Sequence, residues 1–139
     1  MLLTINVVGN ADLKKYWVQC EPLIAKGLAI GGGGESSAAH VLDDIANQRA
    51  YLVVGEDANG VVKFASAVQL IHYPNYVVAS VYAVGGRGVI DNAQHWSYVK
   101  AWMKQLGASK VQGICKPAQA RLWQKLGFKP VYQTMREDL

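Results

Sequence analysis

The stretch Tyr76–Trp96, YVVASVYAVGGRGVIDNAQHW, decides how this chain is read. An apolar run suited to a strand stops at Val84-Gly85-Gly86-Arg87-Gly88, and helical periodicity begins a few residues later. A strand that ends in glycines before a helix start exposes backbone N–H groups at the positive end of a helix dipole, which suits an anion such as a pyrophosphate. The same pattern also serves an ordinary strand-to-helix connection whose glycines only make the turn.

Upstream, Leu3, Ile5 and Val7 alternate with Thr4 and Asn6 as a short strand does. Asn10 or Asp12 can cap a helix that places Leu13, Tyr16, Trp17, Cys20 and Ile24 on one side. Pro22 is expected to kink or restart that helix, because it removes a backbone donor. The glycine run Gly31–Gly34 lacks the Gly-Lys-Ser/Thr of a Walker loop, so a flexible or substrate-side loop is the reading. Ser36 or Ser37 then caps a helix with Ala38, Val41, Leu42 and Ile45 on its apolar face. On that helix His40 and Asp44 stand one turn apart, as a metal or proton-relay pair or as a plain surface pair. Tyr51–Gly55 reads as a strand, and Asp57-Ala58-Asn59-Gly60 as a tight hairpin turn. The return strand Val61–Tyr73 puts Val62, Phe64, Val68 and Leu70 on one face by parity. Pro74-Asn75 turns the chain into Tyr76–Val84, completing a three-strand meander.

Downstream, Asp91 or Asn92 caps a helix in which Trp96, Val99, Met103 and Leu106 recur, and Gly107 ends it. Lys110–Lys116 brings another strand. Pro117 suits the first turn of a last helix, with Ala118, Leu122, Trp123 and Leu126 as its buried stripe. Gly127 stops that helix, and Val131–Met135 can form a final strand. The order β-α-α-β-β-β-α-β-α-β predicts an α/β (mixed α+β) architecture, with a mainly antiparallel twisted sheet of about six strands and about four helices. No internal repeat or second hydrophobic unit interrupts residues 1–139, which read as a single domain.

Composition excludes several classes. Hydrophobic residues make up 51% and charged residues 17% of the 139, a globular balance that argues against disorder. No apolar run approaches the roughly 18 residues of a membrane span, and the N-terminus lacks the order of a secretory signal. Cys20 and Cys115 belong to no metal-ligand spacing, so buried free thiols and a cytoplasmic location are expected, with no metal. The net charge of +4 is unevenly spread. Residues 1–86 hold five Lys/Arg against seven Asp/Glu, and residues 87–139 hold nine against three. A basic half that begins at the glycine turn can serve a phosphate-bearing cofactor, a nucleic acid or an acidic partner, or can simply be solvated helix faces.

One further stretch carries a family likeness. Ala120-Arg121-Leu122-Trp123-Gln124-Lys125-Leu126-Gly127-Phe128 resembles the last-helix motif of the GCN5-related N-acetyltransferases, in which Leu-Tyr-x-Lys-x-Gly-Phe leads to the final strand. The order of elements is similar to that fold over nearly the whole chain. Tyr73-Pro74, Val84-Gly85-Gly86, Trp96 and Lys125-Leu126-Gly127-Phe128 further resemble the compact acetyltransferase-like proteins of tailed bacteriophages and prophages. The resemblance implies acetyl-CoA as cofactor, with Val84, Gly85, Gly86, Arg87 and Gly88 cradling its pyrophosphate and Lys116 or Arg121 near the adenosine. It also implies a fourth strand that ends at a bulge. The loop departs from the family's Arg/Gln-x-x-Gly-x-Gly/Ala: Val89-Ile90-Asp91-Asn92 follows Arg87-Gly88, and Asp91 adds negative charge. Trp123 replaces the tyrosine that can protonate the departing thiolate, and an indole N–H cannot stand in for it.

Acyl transfer to an amine needs a polarised carbonyl and a route for the amine proton. A strand bulge can polarise the carbonyl by backbone N–H alone. For the proton, the strands of the meander contain no Asp or Glu between Tyr51 and Gly55 or after Val61, which leaves His72, Tyr82 and Tyr132 as catalytic candidates and His95 as a further one. Parity puts Tyr82 on the same strand face as Val84. Three readings follow: an acetyl-CoA-dependent N-acyltransferase acting on an unidentified small-molecule or protein amine; a catalytically degenerate phage protein with a virion, assembly or host-interaction role; and, weakest, a nucleic-acid-binding module, since the basic residues lack interleaved aromatics. Exposed tryptophans would favour the second. No membrane partner is expected.

Overall fold

A computed structural model describes residues 2–139. The elements follow as β1 (Thr4–Val8), α1 (Asn10–Gly31), α2 (Ala38–Ala46), β2 (Tyr51–Glu56), β3 (Val62–His72), β4 (Val77–Gly86), α3 (Ala93–Gln105), β5 (Lys110–Gly113) and α4 (Pro117–Lys125). The sheet order is β1-β2-β3-β4-β5. Its first three pairings are antiparallel, and β5 joins β4 in parallel after the α3 crossover that a parallel pair requires. The mixed architecture is therefore as the sequence implies, with five strands and four helices.

Helices cover both faces, so the central strands are apolar almost throughout. Leu13, Trp17, Cys20 and Ile24 of α1, with Val41 and Ile45 of α2, pack on Leu52, Val54, Ala65 and Ala67. Trp96, Val99 and Met103 of α3 pack on Val53, Phe64, Val68 and Val81 from the other side. Among the described residues no helix is long and apolar enough to cross a membrane.

Two bulges reset the strand faces. In the β2–β3 pair Gly55 faces Phe64 while Glu56 faces Val62, leaving Lys63 as the extra residue. In the β3–β4 pair Ala67 faces Ala83 while Val68 faces Val81, leaving Tyr82 as the extra residue. Parity arguments fail across each one. Val62 joins the α1 side, away from Phe64 and Val68, and Tyr82 joins the α1/α2 side whereas Val84 faces α3.

The hairpin at Asp57–Gly60 closes with Gly60 alone at positive φ (+77°). The Asp57 carboxylate accepts from the N–H groups of Asn59 and Val61.

Three local expectations are corrected. Pro22 neither kinks nor restarts α1, which is continuous from Asn10 to Gly31. The carbonyl that Pro22 leaves without its helical donor is that of Val18, and both residues are exposed, so water can serve it. The α4 stripe is not buried: Ala118 and Leu122 are exposed, and Trp123 and Leu126 only half-buried. Residues 131–135 form no strand. Val131, Tyr132 and Met135 are exposed, and β5, only four residues long, offers a short edge for a sixth strand.

At the end of β4, α1 packs backbone to backbone. A methyl group at Gly27 would overlap the Val84 carbonyl, and one at Gly85 would overlap the Leu23 carbonyl. Backbone lies on backbone there, which only glycine permits. One turn further along α1, Gly31 abuts the Gln119 side chain of α4.

Two outcomes are expected. In an ordinary helix Gly→Ala gains about 0.5–1 kcal/mol, but Gly27→Ala should lose about 1–3 kcal/mol by overpacking. Gly31→Ala, which meets only a movable side chain, is the control; a higher Tm for Gly27→Ala would show that α1 is not seated this closely. Burial also pushes the fully buried Cys20 thiol up to about 11. Below the unfolded thiol's value of about 8.5 both states keep the proton and stability is complete. As pH rises toward 11 the unfolded chain ionises first, so stability should fall by up to about 3 kcal/mol. Urea titrations from pH 8 to 11 should show that slope, and Cys20→Ala should reduce it, most clearly below pH 10 where the tyrosines raised by their surroundings do not yet contribute.

Candidate active site

The site begins where β4 and β5 part. Their last paired residues are Val81 and Gly113, after which β4 continues to Gly86 without β5 beside it. On the β5 side the chain runs through Ile114 and Cys115 to Lys116, the N-cap residue of α4. The ring of Trp123 covers Gly113, where a Cβ would strike it, and Phe128 packs between Trp123 and Trp96 at centroid distances of 4.9 and 6.0 Å. The bulge at Tyr82 falls at the point of divergence, and a bulged residue is left out of the ladder.

The loop after β4 is held by the protein's own groups. The Arg87 N–H donates to the Lys63 carbonyl at 3.0 Å, and the Asn92 N–H to the Val89 carbonyl at 3.2 Å. The Gly88 N–H donates to Asp91 Oδ1 at 2.7 Å. The Gly88 carbonyl lies 2.7 Å from Nδ1 of His95, a buried side chain, and the Leu3 N–H donates to its Nε2 at 3.4 Å. These partners assign the proton to Nδ1, since a carbonyl must receive a donor and an N–H needs an acceptor. Asn92 caps α3 by accepting from the His95 N–H at 3.0 Å. Gly86 and Gly88 have φ of +86° and +96°, conformations that favour glycine. At Gly86 a side chain would also meet the Lys63 carbonyl. Gly85 and Gly86 are thus glycines for packing against α1 and β3.

Tyr82 is half-buried, and its hydroxyl donates to Asp44 Oδ2 of α2 at 2.9 Å. Burial first, and then the Asp44 carboxylate, raise the phenol above its ordinary pKa, so it stays protonated at neutral pH. Asp44 in turn accepts from Arg49 Nε at 3.1 Å. His40 does not join this pair; its ring contacts Ser37 Oγ at 3.0 Å beside the α2 cap. Among the described residues no three His, Cys, Asp or Glu side chains cluster as a metal site would need.

The other sequence candidates separate. His72 pairs with Val77 at the start of β4, and the ten residues of that strand, roughly 30 Å of chain, lie between it and the loop. His72 is thus not brought to Tyr82. Tyr132 is exposed in the tail that follows α4. Val84 is half-buried, and Arg87, Lys116 and Arg121 are exposed, with no ion pair among the described residues. Asp44 is the residue that sequence reasoning missed as a partner of the bulge. It lies 38 positions from Tyr82, and its local pattern marks only a helix face.

No family model and no curated protein match this chain. Solved structures do. An aminoglycoside N-acetyltransferase, AAC(6')-Iy, in complex with CoA is similar at a TM-score of 0.68 and 14% identity, over 99% of this chain and 95% of that one. Glucosamine-6-phosphate N-acetyltransferase from Arabidopsis thaliana gives 0.63 and 14%, over 99% of each chain. A tetramutant of the BH1408 protein from Bacillus halodurans gives 0.67 and 11%, over 98% of this chain and 99% of that one. The likeness is one of fold: the chain has the fold of the GCN5-related N-acetyltransferases.

His95→Phe keeps the bulk but leaves the Gly88 carbonyl and the Leu3 N–H unpaired. It should cost about 1–3 kcal/mol in urea unfolding and speed hydrogen exchange at Leu3. Unchanged stability and exchange would show that the histidine does not tie the loop to β1.

Proposed function

We propose that this protein is an N-acyltransferase that uses acetyl-CoA as acyl donor and an amine as acceptor. The observation that carries the proposal is the β4 bulge at Tyr82, placed where β5 leaves β4. From that point β4 runs on without β5, so its backbone N–H groups on that edge have no strand partner, and such groups are the donor type that polarises an acyl carbonyl without any particular side chain.

The residues fit one part of the cofactor better than the other. The unpaired edge of β4 from Tyr82 to Val84, with Ile114–Lys116 opposite, suits the extended acyl-bearing arm. Arg87, Lys116 and Arg121, without ion pairs among the described residues, carry positive charge for the phosphates. The loop amides of Arg87 and Gly88, in contrast, already have internal acceptors. When bound, acetyl-CoA supplies an activated thioester. This chain's own residues would then manage the amine proton: Tyr82, kept protonated, would pass its proton to Asp44 as it receives one from the amine, and the thiolate that leaves as the thioester bond breaks would take its proton from solvent. Arg49 holds the carboxylate that receives it. A cytoplasmic location accompanies this reading.

A second reading is a chain that keeps the fold and serves as a phage virion, assembly or host-interaction protein. The internally bonded loop favours it. The tryptophans do not: Trp17 and Trp96 are buried, and Trp102 and Trp123 half-buried.

Thermal shift and calorimetry with acetyl-CoA and CoA decide between them. A ligand at a hundred times its Kd should add about 2.7 kcal/mol to stability, and no shift at millimolar ligand would overturn the enzyme reading. Thiol release from acetyl-CoA with a panel of amines should fall about 100-fold or more in Tyr82→Phe and Asp44→Asn, with CoA affinity retained. Unaltered turnover would move the proton route elsewhere.

A further inference from the structure

We infer that Asp91 is a built-in competitor for the cofactor's diphosphate, its carboxylate occupying the loop amide that a phosphate oxygen would take. The inference rests on the reading that this loop faces an acyl-CoA diphosphate, and it deepens that reading into a selectivity device.

Gly88 is gripped at both ends of its peptide geometry. Its carbonyl is fixed by the buried His95, which is itself fixed by Leu3. Its N–H points to Asp91 Oδ1 at 2.7 Å, a charge-assisted length. The neighbouring Arg87 N–H is bound to a backbone carbonyl of β3, which cannot leave without breaking the sheet edge. The Gly88 N–H is different, because its acceptor is an exposed side chain free to rotate. No cation pairs with the Asp91 carboxylate among the described residues, so only the amide holds it. A carboxylate and a phosphate oxygen are the same kind of partner for an N–H at this place. While Asp91 stays, it fills the donor and repels an incoming anion. A diphosphate must displace it.

Pyrophosphate binding at constant ionic strength tests this without relying on acyl-CoA. The probe is inorganic pyrophosphate, read by calorimetry and by the Gly88 amide signal in a nitrogen–proton correlation spectrum. The variants are Asp91→Asn, which keeps an oxygen acceptor but removes the charge, and Asp91→Ala, which removes both. Each should bind pyrophosphate about tenfold or more tightly than the native chain, with the Gly88 amide among the signals that move. Equal or weaker binding in Asp91→Asn would overturn the inference and leave Asp91 as a simple loop staple. Failure of all three proteins to bind pyrophosphate would overturn it as well. If the two variants gain pyrophosphate affinity while none of the proteins binds CoA, the acyl-CoA reading fails and the competition stands. If the native chain binds CoA and the variants gain nothing for pyrophosphate, the competition fails and the acyl-CoA reading stands.

Discussion

The extra residue that β4 carries at Tyr82 is the constraint on which the site depends. Before it, Val81 faces α3; after it, Ala83 faces α1 and α2, and Tyr82 shares that side. Alternation from Val81 puts the phenol under α2, where Asp44 meets it, and the extra residue keeps Ala83 on that same side at the place where β5 turns away. A regular strand would have turned Ala83 toward α3 and Val84 away from it. Lys63 is also the extra residue of the β2–β3 pair. On the other edge of β3, Lys63 carries the β3–β4 ladder one step past the Phe64–Gly86 pair, its carbonyl meeting Gly86 and the Arg87 N–H, so the end of β4 is tied down where the loop begins.

The seating of α1 completes this frame. Because Gly27 and Gly85 have no side chains, the helix rests against the backbone at Val84 and Gly85. Its last turn then reaches Gln119 at Gly31, so α1 connects the end of β4 to α4. The glycines that look from the sequence like a phosphate cradle therefore divide in purpose. Gly85 and Gly86 admit α1 and β3, and Gly88 alone presents its amide to a side-chain acceptor.

Much of this was legible in the chain. The helix faces of α1, α2 and α3 follow from periodicity, and the Asp57–Gly60 turn from its residues, because such signals lie within a few positions of one another. The fold was legible from element order together with Leu122–Phe128. What periodicity cannot carry is a phase shift. Neither Lys63 nor Tyr82 is marked as a bulge by its neighbours, so Val62 and Tyr82 were placed on the wrong faces. The absence of a strand at residues 131–135 was equally hidden, since alternation measures capacity for pairing and not the presence of a partner edge. Asp44 and His95 illustrate the remaining gap. Each acts through a partner brought to it only by tertiary structure, Tyr82 for one and the Gly88 carbonyl for the other.

The negative charge of Asp91 in the basic half need not conflict with an anion site, because the two effects work over different distances. Arg87, Lys116 and Arg121 project into solvent, where their attraction is shared across the surface and weakened by salt. Asp91 acts at contact, on one amide. A loop that ended at a helix N-terminus with all its amides open would accept any phosphate within reach of those cations. If a diphosphate must displace Asp91, only a ligand that also gains binding elsewhere, such as along the open edge of β4, would recover the cost of moving the carboxylate. Under the proposed competition the aspartate would shift the requirement for binding from charge alone to charge joined to an extended arm, the shape of the acyl donor proposed above.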